Sequence, residues 1–220
     1  MRAPVLVAGC LVLAAAWLGL PLLSGSAGFL GHMMVHMAVV AVAAPLLAVG
    51  LAGSAWDPSP RAPLLFAPLI ATVLELVVVW GWHAPILHAA ARSSSATLML
   101  EQLSFLVVGL LVWLSAFGKG NKPAPAIWAP GILALFLTSM HMTLLGALLT
   151  LSPRPLYAHA HAHGGAGLGS LTPLEDQQLG GVVMLLVGGA SYLIGGLVLM
   201  ARLLRAPARA PIAKVGERSR

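Results

Sequence analysis

Six apolar runs, each close to the length of a membrane-crossing helix, follow one another along this chain. They lie near residues 5–23, 29–51, 63–82, 96–117, 126–149 and 179–201. A helix needs about 20 residues to cross a hydrocarbon core roughly 30 Å thick. Of the 220 residues 59% are hydrophobic and only 8% charged, with a mean hydropathy of +0.94. An ordinary soluble domain is excluded. The gaps carry loop punctuation: SGSAG at 24–28, SAWDPSPRA at 54–62, GKGNKPAP at 118–125, and a longer stretch at 152–178. Connections this short force neighbouring helices antiparallel. The expected fold is therefore all-α: a polytopic membrane bundle of six transmembrane helices, forming one domain over residues 1–201, with a basic tail at 202–220.

Basic residues set the orientation, because positive flanks stay in the cytoplasm. With both termini cytoplasmic, that side holds Arg2, Arg61, Lys119, Lys122, Arg202, Arg205, Arg209, Lys214, Arg218 and Arg220, while the outer side holds only Arg92 and Arg154. The tail from Arg202 onward has six basic residues against Glu217, and Pro207 and Pro211 discourage a helix. Contact with anionic lipid headgroups explains it, so the pI near 10.5 is a topology signal and gives no reason to invoke nucleic acid. The first run, with Arg2 before it and small residues after it, also fits a signal peptide, whose removal would leave five spans; its apolar core of about 19 residues is long for that role. The VAGC ending at Cys10 resembles a lipobox, but too few apolar residues precede it.

Cys10 is the only cysteine, which rules out a disulfide framework, a redox pair and a thiolate metal site. The orientation then places all eight histidines on the outer side. His32 and His36, four residues apart, share a helix face, with Met33 and Met37 paired about 100° round. His83 and His88 bracket the outer end of the third run, with His88 beyond Pro85 at the membrane surface, where simple solvation is one reading and a place behind the metal ligands the other. His141 lies in the outer part of the fifth run between Met140 and Met142. Imidazole with thioether suits Cu(I), and the scarcity of carboxylates disfavours magnesium, calcium or manganese. Methionines also serve as flexible core filler, and a lone intramembrane histidine can be satisfied by an interhelical hydrogen bond. His159, His161 and His163 form a His-rich loop that either collects metal or has no specific role.

Two carboxylates stand within spans, where each must be protonated, paired or metal-linked if buried. Glu101 can meet Arg92 on the same side. Glu75 has no evident neighbour in sequence, which makes it a candidate proton or ion-site group. Near the last run, Thr172 reads as a helix N-cap, Pro173 as the first helical residue and Glu175 as the partner in a capping box. Asp176, Gln177 and Gln178 would then stand level with His32, His83 and His88, closing a polar cluster at the outer mouth.

Five blocks in order carry a family resemblance: HMMVHMAVVAVAAPLL at 32–47, WGWHAPILHAA at 80–90, LEQLSFLVVGLLVW at 100–113, MTLLGALLTLSPRPLY at 142–157 and LEDQQLGGVVM at 174–184. Together they resemble the polytopic CtaG family of cytochrome c oxidase assembly factors, over about residues 29–200. An unrelated single-span copper chaperone shares that name, but its ligands are cysteines, and a lone Cys10 does not fit it. The resemblance implies a multi-pass protein of the bacterial inner membrane with its histidine-rich face periplasmic. It also implies a role in making haem-copper oxidase, with oxidase subunits and a periplasmic copper donor as partners. It marks His32, His36, His83, His141 and Asp176 to Gln178. Members often carry a histidine after the glutamate of the fourth span, where this chain has Gln102, so the site is expected to be smaller or to use Met140 instead.

The expected function is the handling or delivery of Cu(I), held transiently by His32, His36 and one of His83 or His141. Met33, Met37, Met140 and Met142 would supply exchangeable contacts, with Glu101 or Asp176 orienting an imidazole from behind. No step calls for catalysis, and the chain is read as a non-enzyme. Two other readings stay open: a haem-b electron-transfer protein with paired histidines such as His36 and His141, and a scaffold for oxidase assembly that binds no metal. Protease and hydrolase motifs such as HExxH and GxSxG are missing.

Overall fold

Proline and glycine decide where these apolar runs become helices. The computed structural model describes residues 2–19, 28–117, 124–157 and 171–205, and every regular element among them is helical. Helix α1 is Arg2–Ala14, continued by a π turn at Ala15–Gly19. Helix α2 is Phe29–Leu51, α3 Pro68–Trp82, α4 Pro85–Ser93, α5 Ser95–Phe117, α6 Ala124–Thr150 and α7 Pro173–Arg205. Helix α2 occupies its expected range, and α5 and α6 come within two residues of theirs. Helix α7 begins earlier than the apolar run because the Thr172–Glu175 capping box forms as expected.

Among the described residues, four helices are long and apolar enough to cross a membrane: Phe29–Leu51, Ser95–Phe117, Trp128–Thr150 and Pro173–Arg205. The third run departs from a single straight span. Turns occupy residues 63–67 and the helix starts at Pro68, a favoured first helical position. The resulting α3, 15 residues long, reaches only about 22 Å. Pro85 then disfavours helical backbone at the residue before it, and Ala84 is extended at ψ 132°. The chain bends by 71° into α4, so α3 and α4 make a fifth span only if the bent pair counts as one. The apolar stretch of α1, Ala3–Gly19, is shorter than the other spans.

Helix α2 runs through the centre, packed against α1, α5 and α7, while α3 is held by α5 and α6. It contains a π turn at Ala38–Ala43 just before Pro45. Proline has no N–H, so the carbonyls of Ala41 and Val40, four and five residues earlier, lose their normal helical donor. Side chains from neighbouring helices replace it: Ser191 Oγ donates to Ala41 O at 2.7 Å and Trp113 Nε1 to Val40 O at 3.0 Å. In lipid such replacement is obligatory, and it locks α5 and α7 in register with α2. At the opposite end from the histidines, α2 stops at Gly53, which takes φ 68°. Asp57 closes that loop by accepting hydrogen bonds from the Gly53 N–H and from Ser59. Burial raises the Asp57 carboxyl, but those bonds and nearby Arg61 outweigh it and hold the group below its ordinary value.

Helices α6 and α7 approach closely through glycine. A Cβ on Gly181 would fall 2.5 Å from Thr150 Oγ1 and 2.8 Å from the backbone at Gly146 O and Thr150 N. Because two of those atoms are backbone, the helices would have to separate. Gly181→Ala is expected to cost roughly 1–3 kcal/mol, read as a lower thermal midpoint in detergent. Gly81→Ala, whose added carbon meets nothing closer than 4.0 Å, serves as the neutral control.

Candidate metal centre

The polar residues of α2 begin one turn into the helix and repeat at the next turn. His32 and His36 consequently stack on one face, with rings 6.2 Å apart and within 3° of parallel. The C-terminus of α3 brings in His83, whose ring is 5.3 Å from His36 and 5.7 Å from His32. The bend at Pro85 lays α4 back across this end of the bundle, so that His88 comes within 4.9 Å of His32. All four imidazoles are buried. His88, placed by the sequence at the membrane surface, is only 2% exposed; the 71° turn carries it inward where a straight continuation would have carried it out.

Aromatic rings wall the cluster. Phe105 stands 3.9 Å from His36, and Phe29 lies beside the His88–His32 pair, 5.4 and 5.9 Å from them. Tyr157 stacks on Phe29 and donates its hydroxyl to the carbonyl of His83 at 2.6 Å. Burial raises the ionisation of that hydroxyl above its ordinary value, so it stays a donor. His83 Nδ1 lies 2.6 Å from Val79 O; donating there leaves Nε2 as a bare lone pair facing the cluster. This is the arrangement that orients a metal-binding imidazole, with a backbone carbonyl holding the far nitrogen.

On the rim, Arg92 donates to Glu101 Oε2 at 2.5 Å, the pairing expected from sequence. Gln102 Nε2 donates to the same oxygen at 3.3 Å, and His32 Nδ1 lies 3.7 Å from it. Ligand atoms of His32, His88 and Glu101 all lie within 4.8 Å of one another. Six ring nitrogens have no hydrogen-bond partner: both of His32, both of His36, Nε2 of His83 and Nδ1 of His88. Burying unsatisfied polar atoms is costly, and each neutral imidazole keeps one lone pair beside its N–H, so a cation here could draw one nitrogen from each of several rings. Imidazoles beside one carboxylate suit copper, zinc, iron or nickel.

The methionines are elsewhere. Met33 and Met37 turn towards α7, where a Cβ on Gly180 would meet Met33 Cγ and one on Gly188 would meet Met37 Sδ, each at 3.1 Å. Met142 packs at the same Gly188. Met140 is 67% exposed on the outside of the bundle, so it does not replace the missing histidine at Gln102. His141 is placed beside Glu75, with Nε2 4.0 Å from Oε2. His159, His161 and His163 lie outside the described residues.

Sequence reasoning did not single out Phe29, Phe105 or Tyr157. Phe105 was within reach, since it follows Glu101 by four residues and so shares its face. The chain has only two tyrosines, and a buried tyrosine usually seeks a polar partner. Tyr157 reaches the histidine cluster and Tyr192 reaches Glu75.

The family model for the cytochrome c oxidase caa3 assembly factor, Caa3_CtaG, matches residues 1–206. The chain belongs to the CtaG family. No curated protein and no solved structure matches it.

For this CtaG member the DQQLGG block has a structural account. Helix α2 starts at Gly28, which offers no side-chain cap, and Asp176 supplies one from α7 by accepting the N–H groups of Phe29 at 2.7 Å and Leu30 at 3.2 Å. A carboxylate at a helix N-terminus also meets the positive end of its dipole. Gln177 works on α6, whose last carbonyls lack intrahelical donors. Its Nε2 donates to Leu149 O at 3.2 Å and its Oε1 accepts the Leu156 N–H at 2.6 Å. Gln178 Nε2 reaches Ser152 O at 3.5 Å. Gly180 and Gly181 then allow α7 to approach Phe29 and Thr150. The block thus clamps the ends of α2 and α6 beside the histidines.

Proposed function

We propose that this CtaG family member supports oxidase maturation by holding Cu(I) transiently among His32, His36, His83 and His88, with Glu101 beside them. The observation that carries this reading is the convergence of four buried imidazoles with six unpartnered nitrogens. Copper is the cargo because the enzyme being assembled is a haem-copper oxidase and the donor set suits that metal. The histidine end faces the periplasm, where a copper donor and the oxidase subunits meet it, and no chemical step is catalysed.

Transfer requires the ion to leave as well as arrive. Arg92, about a third exposed at its side chain, holds the same Glu101 oxygen that an incoming cation would approach, so the guanidinium and the metal compete for one carboxylate. Arg92→Gln is expected to tighten copper binding by about tenfold, since removing a unit charge at this range is worth at least ~1.4 kcal/mol. Weaker binding in this variant would contradict the competition.

The test of the site is metal content and visible spectrum of detergent-purified protein after Cu(I) loading under reducing conditions. Colourless copper whose amount falls in a His32→Ala/His36→Ala variant supports the reading. Intense visible absorption indicates haem and overturns it. Absence of copper, with oxidase activity surviving the double change in cells, leaves the family role to a metal-free scaffold.

A further inference from the structure

Deeper in the bundle lies a second polar group that the four-histidine cluster does not use. Glu75 stands in the middle of α3, fully buried, and α3 packs against α5 and α6. Tyr192 of α7 donates to Glu75 Oε1 at 2.5 Å, and Thr138 of α6 donates to Thr72, one turn before Glu75 on α3, at 3.4 Å. One turn beyond Thr138, His141 aims Nε2 at Glu75 Oε2 across 4.0 Å. Oε2 has no hydrogen-bond partner, and neither does either nitrogen of His141. A separation of 4.0 Å is too long for a hydrogen bond. It does match one ion placed between a nitrogen and an oxygen ligand, each bonding at about 2.0–2.2 Å as in zinc sites.

We propose that Glu75 and His141 form a second, inner metal station that takes a monovalent soft cation, Cu(I) on the reading given above, on which this inference rests. Charge favours a monovalent ion: one carboxylate neutralises it, so the loaded site adds no net charge to a low-dielectric interior. The imidazole favours copper over sodium or potassium, which prefer oxygen alone. The hydrogen bond from Tyr192 holds one carboxylate oxygen and leaves the other 4.0 Å from His141 Nε2. The chain therefore holds two ions at different depths, one among the four histidines and one between α3 and α6.

Copper per chain, measured on the full-length detergent-purified protein loaded with Cu(I), tests this. Wild type is expected to bind two ions, Glu75→Gln and His141→Ala one each, and His32→Ala/His36→Ala one. Glu75→Gln keeps an acceptor for Tyr192, and a thermal melt of both inner-site variants checks that they fold. Two ions retained in Glu75→Gln and His141→Ala would overturn the inner station. So would a single wild-type ion that depends only on His32 and His36, leaving the four-histidine site intact. A single ion that depends only on Glu75 and His141 would support the station and overturn the outer site, whereas no copper at all would overturn both.

Discussion

Replacing His36 and His83 together by alanine is expected to weaken copper binding at the four-histidine site by at least 100-fold and to bring the oxidase activity of the cells' membranes to background. Loss of an outer partner alone typically costs 10–100-fold in metal affinity, and these changes delete ligands. The two rings sit 5.3 Å apart, and three of their four nitrogens lack a hydrogen-bond partner. Their removal leaves a cavity beside Phe105, yet it also removes buried polar atoms that nothing satisfies, so the two effects on stability oppose one another. Copper titration, a thermal melt and an oxidase assay on the same variant separate the outcomes. Loss of oxidase with copper binding intact would show that these histidines act without the metal.

Asp176→Ala is expected to do the reverse, lowering stability by roughly 1.5–3 kcal/mol, the range for hydrogen bonds to a charged group, while leaving the copper content of the folded protein unchanged. Two N–H groups at the start of α2 lose their acceptor, and Gly28 provides no replacement. Asp176→Asn, which keeps one acceptor oxygen, should fall between. The readout is the thermal midpoint in detergent together with copper per folded chain. A folded Asp176→Ala protein that has lost its copper would put Asp176 into the site itself and end its interpretation as a distant helix cap.

These cases show which features the sequence exposes and which it hides. The bounds of α2 follow from its apolar run, the start of α7 from Thr172, Pro173 and Glu175, and the Arg92–Glu101 pair from two charges placed at the same end. All of these are local, or depend only on which end of the bundle a residue occupies. The spacing of His32 with His36 and of Met33 with Met37 gives two faces about 100° apart. It does not say which neighbour each face meets. That depends on Gly180 and Gly188 in α7, whose missing side chains leave room for the methionines and turn the histidines towards α3, α4 and α5. His88 was legible as a member of the outer polar cluster but not as a buried one, because a proline reads as an end of helix and the direction taken after it is set by packing. The role of DQQ was hidden because a helix cap supplied from about 147 positions away leaves no mark near the helix that it caps.

X-ray absorption at the copper edge of the loaded protein tests the central claim most directly, since nitrogen and sulfur neighbours scatter differently. Copper held by His32, His36, His83 and His88 predicts a shell of light atoms with the outer pattern of imidazole rings and no sulfur. A sulfur shell would put methionine on the metal and contradict the placement of Met33, Met37 and Met142 against α7.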